Sequence, residues 1–302
     1  MEKKWKKKRE KFIKLCWSTN KMNKTHQKTD ILIPLGNKRE FPVTKGIITI
    51  NENEEVKKLQ KQRPNWYVVT QKEVRNIYLH QQNLRTAIFQ KDMTALVKSI
   101  NKKRVKFLDI GCGDGVNLKE VKDLNLNVDI YGCDYNALRL SRAKALVPEA
   151  TIFLADANKE VIKENSVDIL LLNHVLEHVP DDVGLLKKMY SYLAPGGYAL
   201  IGIPQEGTAI CKLRNYVFEP YILYITDHVH FYKDVEIKKK IKQTKFNIKK
   251  FQYLNYHFPH SIIDRHLRKS KKMHDFMERN GAKLWKRGGA GALWIILQKP
   301  KK

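Results

Sequence analysis

The segment from Val105 to Gly115 reads V-K-F-L-D-I-G-C-G-D-G, and it decides the fold. Its first six residues are mostly apolar, which is typical of a buried parallel strand. Three alternating glycines follow at once, Gly111, Gly113 and Gly115; without a Cβ they let the backbone adopt positive φ and let a flat ligand approach the main chain. Apolar residues then recur at helical spacing from Val116. The pattern predicts a strand, a ligand-binding turn and a helix.

The spacing of these glycines differs from the dinucleotide-binding fingerprint. That fingerprint reads G-x-G-x-x-G and places a pyrophosphate on the helix N-terminus, whereas here the third glycine comes one residue early. In addition, an acidic residue, Asp114, lies in the loop, where it would repel an anion. We therefore expect a ligand with cationic groups. An ordinary glycine-rich turn that binds nothing is the alternative.

The same segment resembles motif I of the class I S-adenosylmethionine-dependent methyltransferases, in particular the ubiquinone and menaquinone methyltransferase type. The resemblance implies that Asp109, at the strand end, helps to hold the loop and the methionine part of the cofactor, S-adenosyl-L-methionine. It also implies that the loop itself contacts the cofactor, through Gly111, Cys112, Gly113 and Gly115.

A second apolar run, residues 128–133, ends at Asp134. In a βαβ nucleotide-binding fold, an acidic residue at the tip of the second strand accepts hydrogen bonds from ribose hydroxyls. We therefore predict that Asp134 and its neighbour Tyr135 bind the cofactor. The alternative is that Asp134 and Asn136 only cap the following helix.

Three later segments continue the resemblance in the order that the family implies. Residues 151–155 read as a third strand, followed by Asp156 and Ala157, which resemble the motif that contacts the adenine edge. Residues 166–173 read as a fourth strand ending at Asn173, which we assign to the cofactor site. Residues 193–203 resemble the turn and fifth strand. The resemblance implies an α/β fold: a three-layer, Rossmann-like, seven-stranded sheet with the last strand antiparallel, and helical lid and substrate insertions.

Histidines cluster after the fourth strand and again near residue 230. Methyl transfer to an oxygen or nitrogen can need a general base, and histidine is the side chain that most often serves. Of the four candidates we predict three as catalytic residues: His174, His178 and His230; the fourth is His228.

Two metal-dependent alternatives use the same residues. The run from His174 to His178 spells H-x-x-E-H, the pattern of inverzincin zinc peptidases. Because it directly follows a buried strand within a methyltransferase-like series, we do not expect a peptidase. The second alternative is a divalent cation held by Glu177 and His178 with His228 or His230, positioning a substrate hydroxyl. Some O-methyltransferases of the family carry an acidic residue where this chain has His174, and because of this difference we predict no metal.

Composition and charge bear on the acceptor of the methyl group. The 302 residues carry a formal net charge of +27, yet residues 105–232 contain more acidic than basic side chains, so the flanks hold the positive excess. Basic flanks favour nucleic acid or an anionic membrane surface, although a lysine-biased composition is an equally simple explanation. Because no RNA-binding module is recognisable and an aromatic insertion follows the fifth strand, we predict a small-molecule, lipid or glycan acceptor. The alternatives are RNA or protein methylation, or cofactor binding without turnover.

The sequence also predicts how the chain is divided. Residues 1–30 read as a basic, disordered tail, and residues 31–70 as a small β-rich leader with a turn at Lys45-Gly46, resembling a cysteine-free remnant of a zinc ribbon. Residues 71–302 read as the methyltransferase domain, with the cofactor core at 105–203 and the substrate and cap region at 204–290.

Cysteine usage and hydropathy predict the compartment. Four cysteines lie far apart, with no C-x-x-C pair and no zinc-ligand spacing: Cys16, Cys112, Cys133 and Cys211. They read as reduced thiols. No run approaches the ~20 apolar residues of a membrane span, and the basic N-terminus lacks an apolar stretch like that of a signal peptide. We therefore expect a cytoplasmic protein without a transmembrane segment.

Overall fold

A computed structural model of the chain describes residues 25–27, 29–33, 41–50, 79–156, 159, 161–220, 228–256, 258, 260–284 and 289–301. Among these residues, ten strands form one mixed sheet. The strands are β1 Thr25–Gln27, β2 Phe41–Thr44, β3 Ile47–Thr49, β4 Val105–Ile110, β5 Val128–Asp134, β6 Thr151–Leu154, β7 Val167–Asn173, β8 Leu193–Pro204, β9 Asn247–Tyr256 and β10 Ala290–Gln298.

Helices connect these strands and cover both faces of the sheet. They are α1 Leu79–Ser99, α2 Val116–Asp123, α3 Ala137–Leu146, α4 Asp182–Tyr192, α5 Ala209–Leu213, α6 Asp234–Lys242, α7 Ser261–Arg268 and α8 Lys271–Leu284. The described residues also form a 3₁₀ turn at Leu176–His178 and a π turn at Arg214–Phe218. No helix in the described part of the chain is long and apolar enough to cross a bilayer.

The strand order confirms the predicted fold class. It runs β1-β2-β3-β6-β5-β4-β7-β8-β10-β9, with β6, β5, β4, β7 and β8 parallel and β10 antiparallel to both of its neighbours. After β4 the chain moves outward through β5 to β6 and then returns to the other side of β4 to form β7. This reversal opens a crevice at the carboxyl ends of β4 and β7, where ligands bind in open α/β sheets.

The sheet has ten described strands where the resemblance implies seven. The three additional strands, β1 to β3, extend the edge beyond β6, and β3 pairs with β6 in parallel. β2 and β3 form a hairpin whose turn is Lys45-Gly46, as the sequence predicts, and both turn residues have positive φ, 54° and 73°. Such a turn matches the twist of the strands. β1 lies at Thr25–Gln27, inside the segment predicted as a disordered tail.

The apolar strands explain the three layers. In β7, residues Ile169 and Leu171 pack into the core on one face of the sheet, and Leu170 and Leu172 pack into the core on the other. Successive side chains of a strand point to opposite faces, so a strand that is apolar throughout must be covered on both. This is why helices lie on both sides of the central strands.

A long-range polar contact holds α1 against the last two strands. The carboxylate of Asp92 accepts hydrogen bonds from the Trp294 indole Nε1 of β10 and from the Lys250 Nζ of β9, both at 2.7 Å. The neighbouring residues Phe89 and Met93 are buried. The contact therefore fixes α1 along the sheet and, with it, the residues that α1 presents to the crevice.

Replacing Asp92 by alanine should lower the free energy of unfolding by about 1.5–3 kcal/mol, because two charge-assisted hydrogen bonds are lost and the indole N–H loses its partner. Urea denaturation measures this loss. Lys98→Ala, at an exposed position of the same helix, should change the free energy by less than about 0.5 kcal/mol. Equal effects of the two substitutions would contradict the role given to Asp92.

Candidate functional site

The loop after β4 is tied to the end of β5. The backbone N–H groups of Gly111 and Cys112 both donate to the Cys133 carbonyl oxygen, at 2.8 and 2.9 Å. The Gly113 N–H donates to the Asp134 Oδ2 at 2.9 Å. These bonds close the loop against the neighbouring strand and place its backbone at the mouth of the crevice.

Glycine is required in this loop for two reasons. Gly111 and Gly115 have φ values of 74° and 81°, which side chains rarely allow. A Cβ on Gly111 would lie 2.3 Å from the Val175 Cγ2, and one on Gly115 would lie 2.8 Å from the Ala143 Cα. The predicted conformational role is therefore accompanied by close packing of α3 and of the segment after β7 against the loop.

Two carboxylates lie beneath the loop. Asp109 is fully buried; its Oδ2 accepts a 3.3 Å hydrogen bond from the Asn117 amide, and its Oδ1 has no partner among the described residues. Burial raises the pKa of Asp109 to about 8, against the opposing effect of the Asn117 hydrogen bond. Asp134 is also buried, and burial raises its pKa although backbone N–H groups donate to both of its oxygens.

These features fit a ligand that donates hydrogen bonds and carries a positive charge. A buried carboxylate oxygen without a partner is costly, and an ammonium group placed beside Asp109 would remove that cost. A carboxylate has about four acceptor positions, so Asp134 keeps capacity for ligand hydroxyls after its two backbone bonds. The donor set of S-adenosyl-L-methionine, an amino group and two ribose hydroxyls, is compatible with both residues.

The other described residues that are predicted to bind the cofactor lie at the same edge of the sheet. Tyr135 is exposed next to Asp134, and Asp156 follows the end of β6. The Cys112 side chain packs into the core against Gly132, and burial raises the pKa of its thiol, so Cys112 presents only its backbone to the crevice. Asn173 ends β7, with its Oδ1 above Gly202 of β8. Ala157 lies outside the described residues.

Asp114 does not act as the sequence suggests. Its carboxylate pairs with two arginines of α3, with an oxygen 3.3 Å from the Arg142 Nη1 and 3.6 Å from the Arg139 Nε. Because these charges neutralise it, Asp114 does not set the charge preference of the crevice. That preference rests on Asp109 and Asp134 instead.

His174, the first predicted catalytic histidine, has a protein partner at each ring nitrogen. The Arg85 Nη1 lies 3.0 Å from the His174 Nε2, and the His174 Nδ1 lies 3.1 Å from the Glu177 Oε1. Because arginine only donates, Nε2 is the acceptor and Nδ1 carries the proton donated to Glu177. His174 also has a φ of 56°, unusual for a residue with a side chain and often found at functional sites.

Glu177 is fully buried and joins this network. Burial raises the pKa of its carboxyl, but the hydrogen bond from His174 and smaller contributions from its surroundings more than offset that effect, so the net shift is downward. The rings of His178 and His228 meet edge to face, with centroids 4.8 Å apart. The His228 Nδ1 lies 2.5 Å from the Glu206 Oε2.

His230 stacks on Tyr232, with ring centroids 5.5 Å apart. Its Nε2 lies 3.0 Å from the Val179 carbonyl oxygen and 3.2 Å from that of Pro180, so this nitrogen is a protonated donor. The catalytic roles of the three histidines stay predictions. The structure gathers His174 and His178 with Glu177 and orients the His230 Nε2 toward the backbone.

Sequence reasoning missed two residues of the site, Arg85 and Glu206. Arg85 comes from α1, far from His174 in sequence, and desolvation lowers the pKa of its guanidinium to about 10. Glu206 is the second residue after the end of β8. Neither belongs to a motif; the only available signal was the helical lid that the family resemblance implies.

The aromatic side chains of the segment after β8, which the sequence predicts to form a substrate pocket, lie in different environments. Tyr232 is buried, and its hydroxyl donates to the Asp182 Oδ2 at 2.6 Å, so it belongs to the core. Tyr216 and Phe218 are exposed on the π turn. Tyr221 and Tyr224 lie outside the described residues.

The central segment is similar to known methyltransferases. A family model described as "Methyltransferase domain" matches residues 108–201, which is less than half of the chain. A trans-aconitate 2-methyltransferase of Methylobacterium radiotolerans is 31% identical over 99 residues, covering 33% of this chain and 38% of the relative. A tRNA 5-carboxymethoxyuridine methyltransferase of Escherichia coli is 30% identical over 141 residues, covering 44% and 53%. The chain thus spans about half or less of the length of these relatives.

A solved structure supports the fold over a longer stretch. A SAM dependent methyltransferase from Archaeoglobus fulgidus superimposes with a TM-score of 0.52 and 19% sequence identity, covering 75% of this chain and 98% of the other. At this identity the likeness concerns the fold alone. It extends the shared architecture beyond the segment that the family model matches.

The raised pKa of Asp109 predicts how stability changes with pH in the absence of ligand. The unfolded chain releases this proton near pH ~4, whereas the folded protein keeps it to about pH 8. The folded state therefore binds more protons across this interval, and the contribution of Asp109 to the free energy of unfolding falls as the pH rises. In Asp109→Asn this contribution is absent.

Urea denaturation of both proteins at several pH values checks the prediction. The free energy of unfolding of Asp109→Asn minus that of the wild type should increase between about pH 5 and pH 8. Parallel pH profiles of the two proteins would show that Asp109 ionises in the folded state as it does in water.

Proposed function

We propose that the chain transfers a methyl group from S-adenosyl-L-methionine to an acceptor, because residues 108–201 match a family model described as "Methyltransferase domain" and the strand order matches the class I methyltransferase fold. One observation carries the proposal. The buried carboxylates of Asp109 and Asp134 lie at the ends of adjacent parallel strands, beneath a glycine loop at the point where the strand order reverses.

In the proposed reaction the chain mainly binds and orients. Asp134 accepts hydrogen bonds from the ribose hydroxyls, the Asp109 Oδ1 accepts from the amino group, and Gly111 and Gly113 offer their backbone beside them. When bound, the cofactor supplies a methyl group activated by its sulfonium charge. Holding donor and acceptor in line can lower the barrier by about 7–11 kcal/mol.

For the acceptor we propose a small-molecule, lipid or glycan intermediate. The crevice is bordered by a layer of helices: α8 packs against α1 and β9, and α1 brings Arg85 to within 3.0 Å of His174 at the end of β7. A crevice bordered in this way suits an acceptor that can enter between helices. The basic flanks support RNA as the second candidate, and a relative that acts on tRNA is consistent with it.

Incubating the full chain with methyl-labelled S-adenosyl-L-methionine and fractionated cell extract tests the proposal. Label in a low-molecular-weight or lipid fraction is the expected result, whereas label in RNA or protein would favour the second candidate. Cofactor binding without label in any fraction would contradict methyl transfer and favour a regulatory protein.

Asp134→Ala should weaken binding of S-adenosyl-L-homocysteine by about 10- to 100-fold, because charge-assisted bonds to the ribose are lost. Isothermal titration calorimetry measures the affinity, and circular dichroism checks that the variant folds. Asp134→Asn, which keeps an acceptor oxygen without the charge, should lie between wild type and alanine. Asp123→Ala is the control, because Asp123 is exposed at the end of α2 and pairs only with Lys119 among the described residues. Unchanged affinity in a folded Asp134→Ala protein would refute the assignment.

His174→Ala should lower the rate of methyl transfer while leaving cofactor affinity nearly unchanged, because His174 links Arg85 and Glu177 at the acceptor side of the crevice. The rate is measured on the extract fraction that acquires label, and the affinity by calorimetry. His266→Ala, at an exposed position of α7, is the matched control. An equal loss of rate and affinity would mean that His174 shapes the whole site.

A further inference from the structure

A compact group of ligating side chains lies beside the cofactor crevice. Glu177 and His178 belong to the 3₁₀ turn after β7, and His228 comes from the segment before α6. We propose that Glu177, His178 and His228 bind a divalent transition-metal ion of the zinc type. The prediction from sequence is that no metal binds, and the following observations argue against it.

The spacing of the three side chains suits a single ion. One ligand atom from each residue lies within 4.8 Å of the others. Zinc binds imidazole nitrogen and carboxylate oxygen at about 2.0–2.2 Å, so ligands around one ion are separated by roughly 3–4 Å. A bound ion would therefore draw the three ligand atoms closer together than they lie in its absence.

An incompletely satisfied carboxylate points to a missing ligand. Glu177 is fully buried, and its Oε2 has no hydrogen-bond partner among the described residues. Its other oxygen, Oε1, already accepts from the His174 Nδ1. A buried acceptor without a partner destabilises the folded state. A cation bound to Oε2 would remove this cost, which a purely structural role of Glu177 leaves in place.

His228 is held in the tautomer that a metal ligand needs. Glu206, which is also buried, lies 2.5 Å from the His228 Nδ1. A carboxylate accepts, so Nδ1 carries the proton and Nε2 keeps its lone pair. Metal-binding histidines usually donate their other ring N–H to a carboxylate or carbonyl in this way, which fixes the orientation of the ring.

The two other candidate histidines, His174 and His230, are excluded as metal ligands by their contacts. His174 accepts from Arg85 at Nε2 and donates to Glu177 at Nδ1, so it positions the Glu177 carboxylate and is not itself a ligand. His230 donates from Nε2 to backbone carbonyl groups. Only one histidine of the H-x-x-E-H run therefore lies in the group, which differs from the two that the zinc peptidase pattern requires.

Two imidazoles and one carboxylate favour zinc or ferrous iron over magnesium, which prefers oxygen ligands. Three protein ligands leave at least one coordination position open, as in catalytic zinc sites. If the proposed function is correct, that position would take an acceptor hydroxyl and lower its pKa, so that the proton is released to solvent, the oxygen forms its bond to the methyl carbon, and the S–CH₃ bond breaks to leave the neutral thioether S-adenosyl-L-homocysteine. This last step rests on methyl transfer, whereas metal binding itself does not.

Equilibrium dialysis of chelator-treated, tag-free full chain against Zn²⁺, with the bound metal measured by mass spectrometry, tests the site without cofactor or acceptor. The wild type should bind one ion in this site, and a large excess of Mg²⁺ should not displace it. Glu177→Gln, which preserves shape, and His228→Ala should each remove this ion, and Glu206→Gln should weaken binding by about 10- to 100-fold.

His266→Ala is the matched histidine control and should bind Zn²⁺ like the wild type. Circular dichroism establishes that each variant is folded, and Zn²⁺ should raise the unfolding temperature of the wild type but not of Glu177→Gln. No bound Zn²⁺ in the wild type, or unchanged binding in folded Glu177→Gln and His228→Ala, would overturn the proposal. Because neither assay involves S-adenosyl-L-methionine, failure here leaves the methyltransferase proposal standing, and the reverse also holds.

Discussion

The hydrogen bonds that join the β4 loop to the end of β5 are the constraint on which the candidate site depends. Gly111 and Cys112 share the Cys133 carbonyl oxygen, and Gly113 binds the Asp134 carboxylate. The Asp134 side chain thus shapes the loop and also remains available to a ligand. The arrangement needs glycine where α3 and the segment after β7 approach, so the packing of the sheet and the geometry of the crevice are set together.

A second network connects the helical layer to the centre of the sheet. Asp92 holds α1 against β9 and β10, and the same helix carries Arg85 to His174. His174 in turn donates a hydrogen bond to Glu177, one of the three proposed metal ligands. A movement of α1 would therefore displace His174 and Glu177, while the hydrogen bonds between the loop and β5 would hold the loop in place.

The sequence predicted what local patterns and family resemblance can carry: the strand, glycine loop and helix at 105–123, the hairpin turn at Lys45-Gly46, and the fold class. It did not predict that β3 pairs with β6, because alternation identifies a strand and not its partner. It misjudged Asp114, since the arginines that neutralise it lie a helix away. Residue type alone also cannot tell that Cys112 offers its backbone and buries its thiol. Arg85 and Glu206 are joined to the site only by contacts between distant parts of the chain.

The central claim is that the crevice between β4 and β7 binds an adenosyl cofactor, and a crystal structure of the full chain grown with S-adenosyl-L-homocysteine tests it most directly. The ribose hydroxyls should lie within hydrogen-bond distance of the Asp134 carboxylate, and the amino group should lie beside the Asp109 Oδ1. A ligand bound elsewhere, or a folded protein that binds none at millimolar concentration, would contradict it.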